Sequence, residues 1–207
     1  MNNPYIDTIL YTSIDLKPNQ ISNDIYKNLK DNLKKKLEKK CYRDYGFIMN
    51  IYEMKKYENG IIRKGDLSAS AKFNITFSCK LCTPLKGKEI ICQVKGVNKM
   101  LLTAENGPIL VIIPKNRIND KKFFTDNNNN LRYRTDQESK IVKSREFIKI
   151  SIIAKTFNDG DDKIKVIGFL NSMASNNEIK QYYDQIYTAE NKTKKYREYI
   201  DANSKEQ

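Results

Sequence analysis

The chain opens on an alternation of apolar and polar positions. Between Ile9 and Leu16, the residues Leu10, Thr12, Ile14 and Leu16 share one parity, the period-two pattern of a half-buried strand, and Pro18 ends it. The period then changes. Ile21, Ile25, Leu29, Leu33 and Leu37 recur every four residues, which predicts an amphipathic helix with Ser22 or Asn19 as its N-cap. Asp24 lies early and Lys34, Lys35, Lys36, Lys39 and Lys40 lie late, an order that complements the helix dipole. Further strands are predicted over residues 45–54 and 67–82, separated by the turn signal Tyr57-Glu-Asn-Gly60. The expected first module is a small antiparallel sheet crossed by one long helix.

A joint, Pro84-Leu-Lys-Gly87, follows, and a second strand-rich unit starts at once. Its strands are predicted over residues 89–97, 100–105, 110–113, 147–155 and 163–170, with turns at Asn106-Gly-Pro108 and Asn158-Asp-Gly160. Five short strands with such connections predict an OB-type β-barrel. Residues 119–145 read as a long, polar, irregular loop centred on residues 127–130; a loop of that length is usually either functional or disordered. Its bases Lys121, Lys122, Arg132, Arg134, Lys140, Lys143 and Arg145 surround Phe123, Phe124 and Tyr133. Beyond Ser175 the pattern is helical again, with Ile179, Tyr182, Tyr183 and Ile186 on one stripe and Tyr196, Tyr199 and Ile200 in a second patch. The predicted class is therefore α+β, divided into residues 1–84, residues 85–175 and a C-terminal helical extension over 176–207.

Charge changes the picture more than composition does. Lys and Arg total 38 against 25 Asp and Glu, a net +13, which points to a polyanionic neighbour: nucleic acid or an acidic protein surface. The abundance of Lys, Asn and Ile also matches the compositional habit of an AT-rich genome. No run of 18 apolar residues exists, so no transmembrane helix and no membrane partner are expected. The first residues lack the basic-then-apolar pattern of a secretory signal, so an intracellular, non-secreted protein is expected.

Candidate chemistry is thin. Cys79 and Cys82 have zinc or redox spacing, but positions three apart in a strand face opposite ways, and neither a second such pair nor any histidine completes a site. Reduced thiols, no metal and no cofactor are expected. The lack of histidine also removes the usual general base. Asp159, Asp161 and Asp162 crowd one tight turn and read as turn formers. No catalytic residue is assigned, and the chain is not expected to be an enzyme in its own right.

One ordered set of segments is more specific. Gly60-Ile-Ile-Arg-Lys-Gly65 leads through small residues to Ala71, Phe73 and Phe77, and the joint at residues 84–87 follows. Gly107-Pro-Ile-Leu-Val-Ile-Ile113 and Val166-Ile-Gly-Phe-Leu170 come next. Over residues 9–172 this order resembles the family of the seventh, stalk subunit of eukaryotic RNA polymerase II, to which its archaeal polymerase counterpart also belongs. The resemblance implies a non-catalytic subunit of a DNA-directed RNA polymerase. Its N-terminal tip would dock on the core beside the clamp, and its OB domain would lie near the emerging RNA, in support of initiation and elongation. It further implies docking through Tyr57, Asn59, Gly60, Ile61, Ile62 and Arg63, of which the two isoleucines can equally be read as the start of the next strand.

The resembled family's barrel commonly carries glycine and aromatic residues on its second strand. Here Lys99-Met-Leu-Leu102 offers no flat π face for base stacking, so weak, salt-dependent contact with single-stranded RNA is expected through phosphates. The expected contacts are Lys95, Lys99, Lys121, Lys122, Arg132, Arg134, Lys149 and Lys155. Cellular members pair with a helical fourth subunit, a role the Tyr/Ile tail would supplement or partly replace. Divergence and composition fit a large DNA virus, placing the protein in virion and host cytoplasm; a cellular member would be nuclear. The alternative from another class is a free-standing OB-fold RNA-binding protein acting in translation or RNA decay.

Overall fold

The computed structural model describes residues 3–65, 67–126, 130–134 and 139–190. The first unit contains β1 (Tyr5–Leu16), α1 (Ile25–Leu37), β2 (Cys41–Tyr42), β3 (Gly46–Tyr57), β4 (Ile61–Ile62) and β5 (Ala71–Cys82). These strands form one antiparallel sheet in the order β1-β5-β3-β2, with β4 paired to the start of β5. Leu29, Leu33 and Leu37 of α1 are buried against alternate residues of the sheet, among them Leu10, Ile14, Phe73 and Phe77. The helix starts later than its apolar spacing suggests. Asp24, not Ser22 or Asn19, is the N-cap, and Ile21 lies outside the helix and is exposed. The backbone at Ser22 instead makes a turn, its carbonyl accepting from the N–H of Ile25.

The second unit contains β6 (Glu89–Val97), β7 (Leu101–Asn106), β8 (Ile109–Pro114), β9 (Phe123–Thr125), β10 (Leu131–Arg134), β11 (Ser139–Ile141), β12 (Phe147–Thr156), β13 (Ile164–Met173) and α2 (Asn176–Glu190). Strands β12-β13-β8-β7-β6 close into a barrel, with β8 and β13 parallel and the other pairs antiparallel. The interior is filled by alternate residues such as Ile90, Val94, Leu102, Val111, Ile150 and Val166. It has no room at Gly168, where a Cβ would lie 2.9 Å from Val111 and 3.0 Å from Ile150.

The stretch 119–145 departs from expectation. Far from being irregular throughout, it folds into a three-stranded antiparallel sheet, β11-β10-β9, inserted between β8 and β12. Phe123 and Leu131 are buried in the barrel's core cluster and anchor it. The Asp126 carboxylate accepts from the Asn130 N–H at 2.8 Å and closes the β9–β10 connection.

The two units share apolar surface. Tyr5, Cys41, Phe47, Met49 and Cys82 from the first sheet lie in the same cluster as the barrel interior. Cys79 points the other way, into the core beneath α1, so the two thiols do face opposite sides of β5. The Tyr5 hydroxyl donates to Asn106 Oδ1 at 2.8 Å, and Asn106 Nδ2 donates to the Ile91 carbonyl at 2.7 Å. On another side, the turn between β12 and β13 is stitched to β2. The Cys41 N–H donates to the Asp161 carbonyl and the Gly160 N–H to the Cys41 carbonyl, both at 2.8 Å.

Helix α2 is no appendage. Ser175 and Glu178 form a reciprocal capping box at its start. Phe147, Tyr182 and Tyr183 meet edge-to-face, and Asn50 of β3 donates to the Ala189 carbonyl at 3.0 Å. The helix therefore runs from the barrel to the first sheet. The predicted patch at Tyr196, Tyr199 and Ile200 lies outside the described residues. Among the described residues no helix is long and apolar enough to cross a membrane.

Candidate functional site

The residues singled out by sequence fall into two sets, one at the tip of the N-terminal sheet and one of cations spread over the barrel unit. At the tip, the Glu58 N–H donates to the Asn74 carbonyl at 3.0 Å and Asn74 Nδ2 donates to the Glu58 carboxylate at 2.8 Å, which fixes the turn. Gly60 then passes over the ring of Phe73; a Cβ there would sit 2.5 Å from it, so only glycine fits without displacing a buried aromatic. Ile61 and Ile62 pair with Lys72 and Ala71. They are thus a short strand, yet they stay 63% and 59% exposed. Tyr57, Asn59 and Arg63 are exposed around them, and so is Leu67, which the sequence pattern did not single out. Nothing in the local sequence distinguishes Leu67 from a strand residue; only its place before Ala71, where β5 begins, leaves it outside. Exposed apolar side chains gathered at one tip, with a cation beside them, have the make-up of a contact surface.

The basic candidates do not form one surface, and the structure sorts them. Lys95 is paired with Glu105, Lys149 with Glu178 and Glu89, and Arg132 with Asp126 at 3.0 Å. The hydrogen bond from Lys149 holds the Glu178 carboxyl below its ordinary range and raises the lysine's own pKa. Lys155 lies 3.4 Å from the Thr83 hydroxyl and over the Phe157 ring. Lys99 is exposed on the β6–β7 connection, beside a recess of about 470 Å³ shared with Asn98, Asn130 and Ser144.

Lys121, Lys122 and Arg134 come together. The Arg134 N–H donates to the Lys122 carbonyl at 2.8 Å, and the Arg134 guanidinium lies over the Phe124 ring, 5.4 Å from its centroid. All three line a groove of about 450 Å³ with Phe123, Tyr133, Ser172 and Met173. Among the described residues none of the three cations has a carboxylate partner.

The outer wall of β7 and β8 is different in kind. The alternation turns Leu101, Thr103 and Glu105 outward on β7, and Leu110, Ile112 and Pro114 on β8. Met100 is 77% exposed, whereas Leu102 points into the barrel. No base-stacking ring stands on these strands, as their sequence foretold.

The four cysteines are free and buried. Burial pushes the Cys41 thiol up to about 11 and the Cys79 thiol to about 12, and raises Cys82 and Cys92 as well. Such thiols are poor nucleophiles at neutral pH.

No family model matches the chain. It is 32% identical over 178 residues to the L376 chain of Acanthamoeba polyphaga mimivirus, which is named as a candidate DNA-directed RNA polymerase subunit; the match covers 86% of this chain and 87% of that one. It is 25% identical over 177 residues to DNA-directed RNA polymerase II subunit RPB7 of Glycine max, covering 83% of this chain and 99% of the other. Against DNA-directed RNA polymerase II subunit 7 of Arabidopsis thaliana the identity is 27% over 120 residues, 58% of this chain and 67% of that one. With its closed five-stranded barrel and N-terminal sheet, the chain belongs to the family of the seventh subunit of RNA polymerase II, as a divergent member of viral type.

Proposed function

We propose that this chain is the non-catalytic stalk subunit of a DNA-directed RNA polymerase. The sheet of residues 1–84 docks on the core near the clamp through Tyr57, Asn59, Gly60, Ile61, Ile62 and Arg63. The barrel unit of residues 85–175 projects beside the emerging RNA, which it contacts weakly and without sequence preference, supporting initiation and elongation. A second stalk subunit packs on α2 through the exposed Tyr183 and Tyr187. The protein works in the virion and the host cytoplasm.

One observation carries this reading: Ile61 and Ile62 are held in register on β5 yet left open to solvent at the end of the sheet. A free-standing RNA-binding protein has no use for such a tip, whereas a subunit that must hold a larger assembly does. Affinity capture of the tagged chain from its native source tests this. Co-elution with the large polymerase subunits is expected, and recovery of a clean monomer would count against the reading.

A further inference from the structure

We propose that single-stranded RNA is held in the groove between the inserted sheet and the end of β13, its phosphates on Lys121, Lys122 and Arg134, and not on the outer wall of β7 and β8. This rests on the RNA contact proposed above and assigns it a place.

Three observations converge. The first is register. Tyr133 stands opposite Phe123, so Arg134 stands opposite Lys122, and the hydrogen bond between their backbones fixes the two cations side by side across one hairpin. Lys121 follows along the same rim, and the rim encloses about 450 Å³. The spacing is imposed by a ladder anchored through buried Phe123, so the charges are presented together at little cost in order.

The second is competition. A cation already neutralised by a carboxylate releases few counterions when a phosphate arrives. That removes Lys95, Lys149 and Arg132, each of which is paired; of the five candidates left, Lys121, Lys122 and Arg134 line one groove, whereas Lys99 lies beside another recess and Lys155 beside Thr83 and Phe157.

The third is the state of the barrel's usual ligand-binding elements. In barrels of this kind the second and third strands, with the loops after strands one and four, take oligonucleotides. Here the second and third strands turn outward mostly aliphatic side chains and the acidic Glu105. The loop after strand four is tied down, Asp159 accepting from the Arg43 N–H at 2.9 Å and Asp161 from Cys41. It also brings Asp159, Asp161 and Asp162, which repel phosphate. The groove has what that wall lacks: the half-buried Tyr133 supplies aromatic surface, and Phe124 backs the Arg134 guanidinium.

The test uses the full chain and a fluorescein-labelled 20-nucleotide oligouridylate, with anisotropy titrations between 50 and 200 mM NaCl. Lys121→Gln/Lys122→Gln/Arg134→Gln is compared with Lys95→Gln/Lys99→Gln/Lys155→Gln, which removes equal charge elsewhere. Each phosphate neutralised on a single strand adds about 0.7 to the logarithmic salt slope, so the groove variant is expected to lose a slope of about 2. At the lowest salt it should also bind on the order of ten-fold more weakly, while the other variant stays within about two-fold. Equal losses in both variants, or a larger loss in the second, would overturn the assignment while leaving RNA contact intact. Oligoglutamate binding as tight as RNA would overturn it in favour of an acidic protein partner. No RNA binding by the unaltered chain at 50 mM salt would instead remove the underlying reading of RNA contact.

Discussion

Replacing Ile61 and Ile62 together by threonine tests the docking role proposed for the tip. Threonine keeps the branched Cβ that suits a strand, so the pairing with Lys72 and Ala71 is retained. Both residues are exposed in the free chain, so their loss within the fold falls within about 0.5 kcal/mol. Docking is another matter. Full burial of an isoleucine side chain is worth about 1.5–3 kcal/mol, and these two have about six tenths of their surface still to bury. Together they offer about 2–4 kcal/mol, most of which is lost when each γ-methylene gives way to a hydroxyl and each δ-methyl is removed. A loss of about 2–3 kcal/mol weakens binding by roughly 30-fold or more. Titration of a fluorescently labelled chain into core polymerase stripped of this subunit reads that change directly, with thermal unfolding of the free chain as the control. An unchanged Kd would refute the reasoning. So would a melting temperature several degrees lower in the free chain, because the isoleucines would then be acting inside the fold.

Other consequences follow from the contacts that join the parts. Tyr5→Phe leaves the buried Asn106 Oδ1 without its donor, at a cost of about 1–2 kcal/mol, and should lower Tm by about 3–6 °C in calorimetry. Glu178→Gln can still accept from the Ser175 N–H at the start of α2 but removes the charge that pairs with Lys149, worth up to about 1 kcal/mol. Because the folded pKa of Glu178 is depressed, its contribution is full above the ordinary carboxylate value of about 4.3 and is lost as pH falls through the lower folded value. Lys149, raised, contributes below about 10.4 and loses its share above its folded value. The Tm difference between the two proteins should therefore be flat from about pH 5 to 9 and shrink below about pH 4. Finally, none of the four cysteines should react with Ellman's reagent at pH 8 in the native protein, and all four should do so in guanidinium; one fast native thiol would contradict their burial.

Much of the architecture was legible because apolar period and burial are the same thing in a two-sided element. The four-residue spacing through Leu29, Leu33 and Leu37 marks the buried face of α1, and the alternation in β7 and β8 marks the barrel interior. The opposed faces of Cys79 and Cys82 followed from strand geometry alone. The start of α1 was not legible, since Ile21 keeps the helical spacing while the chain is still in a turn. The inserted sheet hid for a different reason. It buries little beyond Phe123 and Leu131, so its polar residues show no period. The tip residues were singled out through the family resemblance; the turn signal before them marks only a loop, and Ile61 and Ile62 read equally well as the start of a strand, which they form. The sorting of the lysines could not be seen. Lys149 meets Glu178 and Lys95 meets Glu105 only through the fold, and local sequence holds no trace of either pairing.

The most direct measurement is site-specific photo-crosslinking in a transcribing polymerase, with a photoreactive amino acid at position 62 in one version of the chain and at position 121 in another. A protein adduct to a large core subunit is expected from position 62, and an adduct to nascent RNA from position 121. RNA adducts from position 62, or no core adduct there, would contradict the claim that this tip is what holds the polymerase.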